Sequence, residues 1–285
     1  MPSADRSLVR LSTRLSDMLN LSVLIIAKNE ELHIGNNIRR LKKYLNPQEI
    51  IIIDDFSTDA TAKIATELGV KVVQHALNGD FGAQRDFAIS QATAKWILFL
   101  DADEYMTEAL GCEIRKALTE CDQSDKLYSF RLSFLHHFCG HPVHHLGMYP
   151  DYHMRLMPKD GAASRGQVHE EISSPYPTKD LPMTSHIEHY TYRDWEHYLT
   201  KLNHYTALGA KKLDSQGKKV SVSGIVAHTL FGFIKMYFLE RGFLEGAVGL
   251  FLSVTHTFSV FMKYTKLYCL QHQADFPGIP SSIIK

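Results

Sequence analysis

The sequence predicts an α/β protein: a doubly wound, mostly parallel sheet with a C-terminal helical, membrane-associating extension. Two observations carry the sheet. Between residues 20 and 110, short apolar and β-branched runs alternate with segments of helical periodicity, the pattern of parallel strands joined by crossover helices. Each run also closes on polar or acidic residues, and ligands of such sheets bind beyond the carboxyl ends of the strands. A third observation carries the extension: beyond Val220 the chain turns strongly apolar, with aromatic and basic residues intermixed.

Residues 1–19 alternate Arg and Leu without a strong apolar core and read as an N-terminal leader. Residues 21–27, LSVLIIA, form the first strand, and after a turn at 28–30 Ile34, Ile38, Leu41 and Leu45 recur at helical spacing. Residues 49–54, EIIIID, form the second strand. Ser57, Thr58 and Asp59 then offer capping oxygens to a helix that runs to Leu68 and stops at Gly69. Residues 70–74 make a third strand, and a helix around 84–92 leads into the fourth, 96–100. From 127 to 189 short strand-like runs, LYSFRLSF and YHMRLM, alternate with Gly and Pro and suit antiparallel strands covering one side of the crevice. Residues 195–213 form a polar, aromatic helix. The domains expected are therefore the leader at 1–19, an α/β domain at 20–190 and a helical region at 191–285.

Composition removes several function classes. Lysine plus arginine equals aspartate plus glutamate at 31 each, so no net field favours nucleic acid. Cys112, Cys121, Cys139 and Cys269 form no CxxC pair, which argues against zinc. With no secretory signal apparent, reduced thiols in the cytoplasm are expected. The longest uncharged stretch of the tail, 246–262, has 17 residues, at the lower edge of a spanning helix. FGFIKMYF and VFMKYTKLY suit helices lying in the interface of an anionic membrane better.

The chemistry concentrates at the strand ends. WILFLDADEY, 96–105, brings a buried strand out onto Asp101 and Asp103, two charges that repel unless something positive lies between them. A divalent cation, Mg2+ or Mn2+, answers that, and is most useful where a substrate brings its own diphosphate. In IIIDDFSTDAT, Asp54 or Asp55 can accept a hydrogen bond from a base or ribose, Asp55 being preferred. Neither a GxxxxGK[ST] nor a GxGxxG loop is present, so phosphates need cations: a metal on Asp103, and Arg85.

The order LSVLIIAKNEE, IIIDDFSTDAT, GDFGAQRDFAISQA, WILFLDADE resembles the family 2 inverting glycosyltransferases, which have the GT-A fold and transfer sugars from nucleotide diphosphates. The resemblance is tight over about residues 20–110 and looser to about 205. It implies Asp103 as metal ligand, Asp101 near the ribose or metal, and Asp55 with Asn29 and Glu30 around the nucleoside. Arg85 stands where the family often has Arg followed by Asn; here Asp86 follows.

Inverting transfer also needs a base opposite the leaving diphosphate. RGQVHEEI, 165–172, offers Glu170 and Glu171, and its His-Glu step resembles a subgroup of bacterial lipopolysaccharide core glucosyltransferases. Glu170 is preferred, with Glu171, Asp151 and Glu188 in reserve. His169, His186 and His189 could add a metal ligand or a donor to diphosphate, though a packing or surface role suits them better; Arg155 could neutralise diphosphate or serve as an ion-pair partner; and Lys201 and Tyr205 share a helical face that could meet acceptor phosphates or equally be a solvated face. The resemblance implies transfer of glucose from UDP-glucose to a lipid-linked acceptor, the inner core of lipopolysaccharide, on the cytoplasmic face of the inner membrane. Polyprenyl-phosphate or capsule acceptors, and a non-catalytic nucleotide-sugar-binding membrane scaffold, are the rival readings. A nucleotidyltransferase would need a basic, glycine-rich triphosphate loop that AKNEELHIG lacks.

Overall fold

A computed structural model describes residues 18–165, 171–192, 194–272 and 275–276. They fall into two compact units: one takes the chain through Leu135 together with Pro150–His189, the other takes His136–Tyr149 together with the chain from Tyr190.

In the first unit β1 (Leu19–Ala27), α1 (Ile34–Tyr44), β2 (Pro47–Asp54), α2 (Thr61–Glu67), β3 (Lys71–Gln74), α3 (Phe81–Gln91) and β4 (Trp96–Asp101) alternate. The four strands are parallel in the order β3-β2-β1-β4. Side chains alternate across the sheet, so both faces of β1 are buried. Leu21, Val23 and Ile25 meet Ile34, Ile38 and Leu41 of α1 on one side. Leu24, Ile51 and Ile53 share a cluster with Ala88 and Ile89 of α3 on the other. The third helix begins at Phe81 because Asp80 caps it, its Oδ1 accepting from Ala83 N at 2.9 Å.

The chain continues through β5 (Glu104–Tyr105), α4 (Glu108–Ser124), β6 (Ser129–Phe138), β7 (His141–Val143), β8 (Asp151–Pro158), β9 (Ala163–Arg165), β10 (Glu171–Ser173), β11 (Thr178–Asp180) and β12 (His186–Tyr192). Beyond β4 the sheet continues β8-β6-β12-β5, with β8 antiparallel to both β4 and β6, and β5 antiparallel to β12. The separate pair β9-β10 is also antiparallel. β11 adds a short parallel pairing to β6. Where α4 crosses α1, Gly111 permits the contact, since a Cβ there would lie 2.8 Å from Tyr44 O.

The second unit contains α5 (Trp195–Ser215), α6 (Val222–Phe233) continued by a π-helical stretch Ile234–Leu239, a 3-10 turn Gly242–Glu245, and α7 (Gly246–Gln271). The last two long helices form an antiparallel hairpin, with His228 stacked on Tyr264 and Gly232 against Val260. The polar helix α5 runs alongside α7 in the same direction: Trp195 meets Phe251, and Gln271 bonds to Asp214 and Lys218. Both Val222–Leu239 and Gly242–Gln271 are long and apolar enough to cross a membrane by length and composition. The uncharged-stretch criterion found only the second, because Lys235 interrupts the first.

Candidate functional site

The carboxyl ends of β1, β2 and β4 lie side by side, and the residues singled out there fall into two differently built groups. At the end of β1, Lys28 Nζ meets Asp55 Oδ2 at 2.8 Å, and Leu77 N donates to Asp55 Oδ1 at 3.0 Å. The Lys28 hydrogen bond and then the Leu77 N–H hold the Asp55 carboxyl below its ordinary range. Asp54, fully buried, accepts from Ser57 N at 3.3 Å and ties down the turn. Asn29 adopts the left-handed region, φ 56°, with its Oδ1 accepting from Thr58 N at 2.8 Å while its own N donates to Ser57 Oγ. Glu30 N donates to Thr61 Oγ1. Asp59 accepts from Thr61 N and Glu31 N, so the polar run after β2 is latched to the run after β1.

At the end of β4 the backbone turns sharply through Ala102 and is clamped from beneath. Asn37 of α1 is fully buried, and its Nδ2 donates to the carbonyls of Asp101, Ala102 and Glu104 at 3.0–3.1 Å. His33 Nδ1 meets Tyr105 Oη at 2.8 Å, and the Arg40 guanidinium lies over the Tyr105 ring. Glu104, the last residue of the DADE motif, turns inward: one oxygen accepts from Asp101 N at 2.9 Å, the other lies 2.6 Å from Arg155 Nη2 of β8. Burial pushes Glu104 up, to about 8, against the opposing pull of Arg155. Burial also works against charge on Arg155, but Glu104 and Asp101 outweigh it and hold the guanidinium protonated.

The two outer carboxylates remain open, with Asp101 49% and Asp103 24% exposed. Each faces a protein cation at 3.6 Å: Arg155 Nη2 for Asp101, His189 Nε2 for Asp103. Burial lowers His189, but Asp103 and its neighbours raise it more, so the net shift favours imidazolium. His189 arrives there because β12 pairs with β5, His189 opposite Glu104 and Glu188 opposite Tyr105. The repulsion between the two aspartates is thus relieved partly by protein cations.

A hard divalent cation fits this donor set if the substrate supplies further ligands: two open carboxylates stand one residue apart, and no group of three or more His, Cys, Asp or Glu among the described residues could hold a metal. The other candidates lie elsewhere. Arg85 is half-buried on α3, and Asp86 beside it accepts from Ser164 N at 2.7 Å, which fastens that helix to β9. Asp151 is paired with His153 at 2.9 Å, and His186 Nε2 lies 4.0 Å from Glu188. Lys201 lies over the Tyr192 ring, and Tyr205 is exposed. His169 and Glu170 lie outside the described residues, as does the side chain of Glu171. Sequence reasoning missed Asn37, His33 and Glu104. A buried Asn within the stripe Ile34, Ile38, Leu41 was the available signal, because a polar group there must have buried partners.

Residues 22–122 match the family described as glycosyl transferase family 2. A glycosyltransferase of Rickettsia conorii is 31% identical over 258 residues, covering 87% of this chain and 89% of that protein. The lipopolysaccharide core biosynthesis glycosyltransferase LpsC of Rhizobium meliloti is 26% identical over 258 residues, covering 88% and 92%. Among solved structures, Staphylococcus aureus TarS in complex with UDP aligns at a TM-score of 0.35 with 24% identity, over 41% of this chain and 36% of that one, too distant to bear on substrate. The chain belongs to glycosyl transferase family 2 and is a glycosyltransferase of the GT-A fold.

Proposed function

We propose that this transferase moves a hexose, glucose from UDP-glucose, onto the inner core of lipopolysaccharide at the cytoplasmic face of the inner membrane, by metal-dependent inverting transfer. The observation that carries the reading is the clamped turn after β4, which presents Asp101 and Asp103 partly exposed at a strand end while Asn37 and Glu104 hold the turn. The likeness to LpsC, whose name specifies lipopolysaccharide core biosynthesis, supports the acceptor class. Residues 20–190 are the catalytic part and 191–285 the membrane-associating part.

In this reading Asp103 holds Mg2+ or Mn2+ with Asp101 beside it, and Asn29, Glu30 and Asp55 surround the nucleoside. Bound there, the cation supplies charge neutralisation on the departing diphosphate. Arg85 adds positive charge on the phosphate side. Glu170 takes the proton from the acceptor hydroxyl as its oxygen bonds to the anomeric carbon and the bond to the nucleoside diphosphate breaks. Arg155 and His189 hold the two aspartates in place and balance their charge.

Calorimetric titration with UDP-glucose, ADP-heptose, GDP-mannose and UDP, each with and without Mn2+, tests the donor side. Mn2+-dependent binding of UDP-glucose alone among the sugars is the expected result; binding of none, by folded protein, removes the transferase site from this turn. For the base, Glu170→Gln should keep donor binding and lose most transfer, and an equal fall in both would make Glu170 a binding residue.

A further inference from the structure

Two helices with the length and apolarity of membrane spans share one turn, and that turn is bound to a segment that cannot follow it across a bilayer. Resting on the membrane association proposed above, we infer that α6 and α7 lie in the plane of an anionic membrane surface, their open apolar stripes in the lipid interface, and do not cross it.

The turn is held by a buried carboxylate. Glu245, 7% exposed, accepts from His144 N at 2.8 Å and His145 N at 2.9 Å, and meets His145 Nδ1 at 2.6 Å and His141 Nε2 at 3.3 Å. Leu146 N donates to Glu240 O at 2.8 Å. Beneath these bonds Val143 and Leu146 share an apolar cluster with Leu252, Met236 and Val248. The segment that makes these contacts runs from the end of β6 at Phe138 to the start of β8 at Asp151. Placing the turn on the far side of a bilayer would draw that segment through hydrocarbon twice as irregular backbone, leaving its amides without partners, which lipid does not tolerate.

The opposite orientation, with the turn kept and the other ends crossing, fails on α5. Lys266 Nζ of α7 donates to Asn203 O, Asn203 Oδ1 and Thr206 Oγ1 at 2.8–2.9 Å, and Gln271 Nε2 reaches Lys218 O at 2.6 Å. A crossing α7 would carry this partner with it, together with Glu196, Lys201, Lys211, Lys212 and Asp214.

An in-plane placement satisfies both constraints. Val222, Val226, Leu230, Ile234 and Phe238, four residues apart, are exposed along one stripe of the first helix and its continuation. Phe251, Val254, Phe258 and Phe261 are exposed along α7. Between residues 211 and 271 eight lysines or arginines face three carboxylates, one of which, Glu245, is spent on the histidines. An apolar stripe bordered by excess positive charge is the profile of a helix that lies on anionic lipid.

The test uses the full chain and vesicles of phosphatidylethanolamine with phosphatidylglycerol, against phosphatidylcholine alone. Val226→Trp, Leu230→Trp and Phe238→Trp place a reporter near the start, middle and end of one candidate span, at exposed positions; the parent protein gives the Trp96 and Trp195 background. Lipids brominated at shallow or deep acyl positions read the depth. The inference expects all three reporters to be quenched alike, by the shallow bromines, with binding that needs the anionic lipid and weakens with salt. Deep quenching at 230 with shallow quenching at 226 and 238 would mean a crossing helix and overturn it, leaving membrane association intact. Equal binding to both vesicles would overturn the electrostatic part. Absence of binding, with a dimer seen by light scattering, would mean that a second copy covers the stripes and would overturn the membrane reading as well.

Discussion

Two pairs of aspartates stand at neighbouring strand ends, Asp54 with Asp55 and Asp101 with Asp103, and the structure spends them differently. The first pair is turned inward. Asp54 is fully buried on the Ser57 amide, and both oxygens of Asp55 are engaged, one by Lys28 and one by the Leu77 amide. In the second pair the inward role passes to Glu104, which takes the buried cation Arg155 and the Asp101 amide and leaves both aspartates open. The difference shows how a third acid, Glu104, and a clamp, Asn37, can take over structural duty at a strand end and leave an acidic pair partly exposed.

That contrast can be broken by substitution. The largest effect is expected for Asp103→Ala, which should lower kcat/KM on the order of 10³-fold while the melting temperature barely moves, since a metal-stabilised leaving group contributes several kcal/mol to the transition state. Transfer at the parental rate would assign the open pair no part in the chemistry. Arg155→Met comes next, because it leaves the buried Glu104 without its hydrogen-bond partner, at a cost of about 1–3 kcal/mol of unfolding free energy near neutral pH, where that carboxyl is largely protonated. The pH dependence has a definite sign. Glu104, already raised by burial, would be raised further, so the variant keeps its stability where the carboxyl is protonated and loses it as pH rises. Urea titrations at pH 5 and pH 8 should show the smaller deficit at pH 5; an equal deficit would mean that Arg155 matters only as packing against Phe134.

Asn37→Ala, which orphans three carbonyls, should cost about 1–3 kcal/mol and weaken metal-dependent donor binding by loosening the turn. Unchanged binding would separate the clamp from the site. The smallest effect belongs to Asp55→Asn, about 1 kcal/mol or less, by denaturant midpoint at pH 7. Because Lys28 and the Leu77 amide lower the Asp55 carboxyl, its contribution is present above the ordinary carboxylate range and is lost as pH falls through its lowered folded-state value, so parent and variant should converge on acidification. Donor affinity should fall as well if Asp55 borders the nucleoside as proposed, and unchanged affinity would remove it from the donor site.

The strands were legible because both faces of β1, β2 and β4 are buried and their residues are correspondingly β-branched and apolar. The open carboxylates of Asp101 and Asp103 were legible for the converse reason, since nothing apolar explains them. The clamp was not. Asn37 acts across more than sixty residues on backbone carbonyls, which carry no sequence signature. The association of residues 136–149 with the C-terminal helices was hidden in the same way, since Glu245 and its histidine partners lie about a hundred positions apart. The sequence pattern begins α3 near Gln84, whereas Asp80 caps a helix already begun at Phe81.

The DADE turn has one further consequence. Its two ends belong to β4 and β5, which Ala102 and Asp103 separate along the chain but which stand apart in the sheet, with β8, β6 and β12 ranked between them. The turn is therefore a covalent link between the two ends of a row of strands supplied by residues 129–192, while its backbone is held from α1 by Asn37. During synthesis the first hundred residues can assemble their parallel sheet, but Arg155 and His189 reach the turn only after the later strands have emerged. An unfinished or cleaved chain would then carry the aspartates without Arg155 and His189, so that, with the donor site proposed above, competence for the donor becomes a checkpoint on the completeness of the polypeptide.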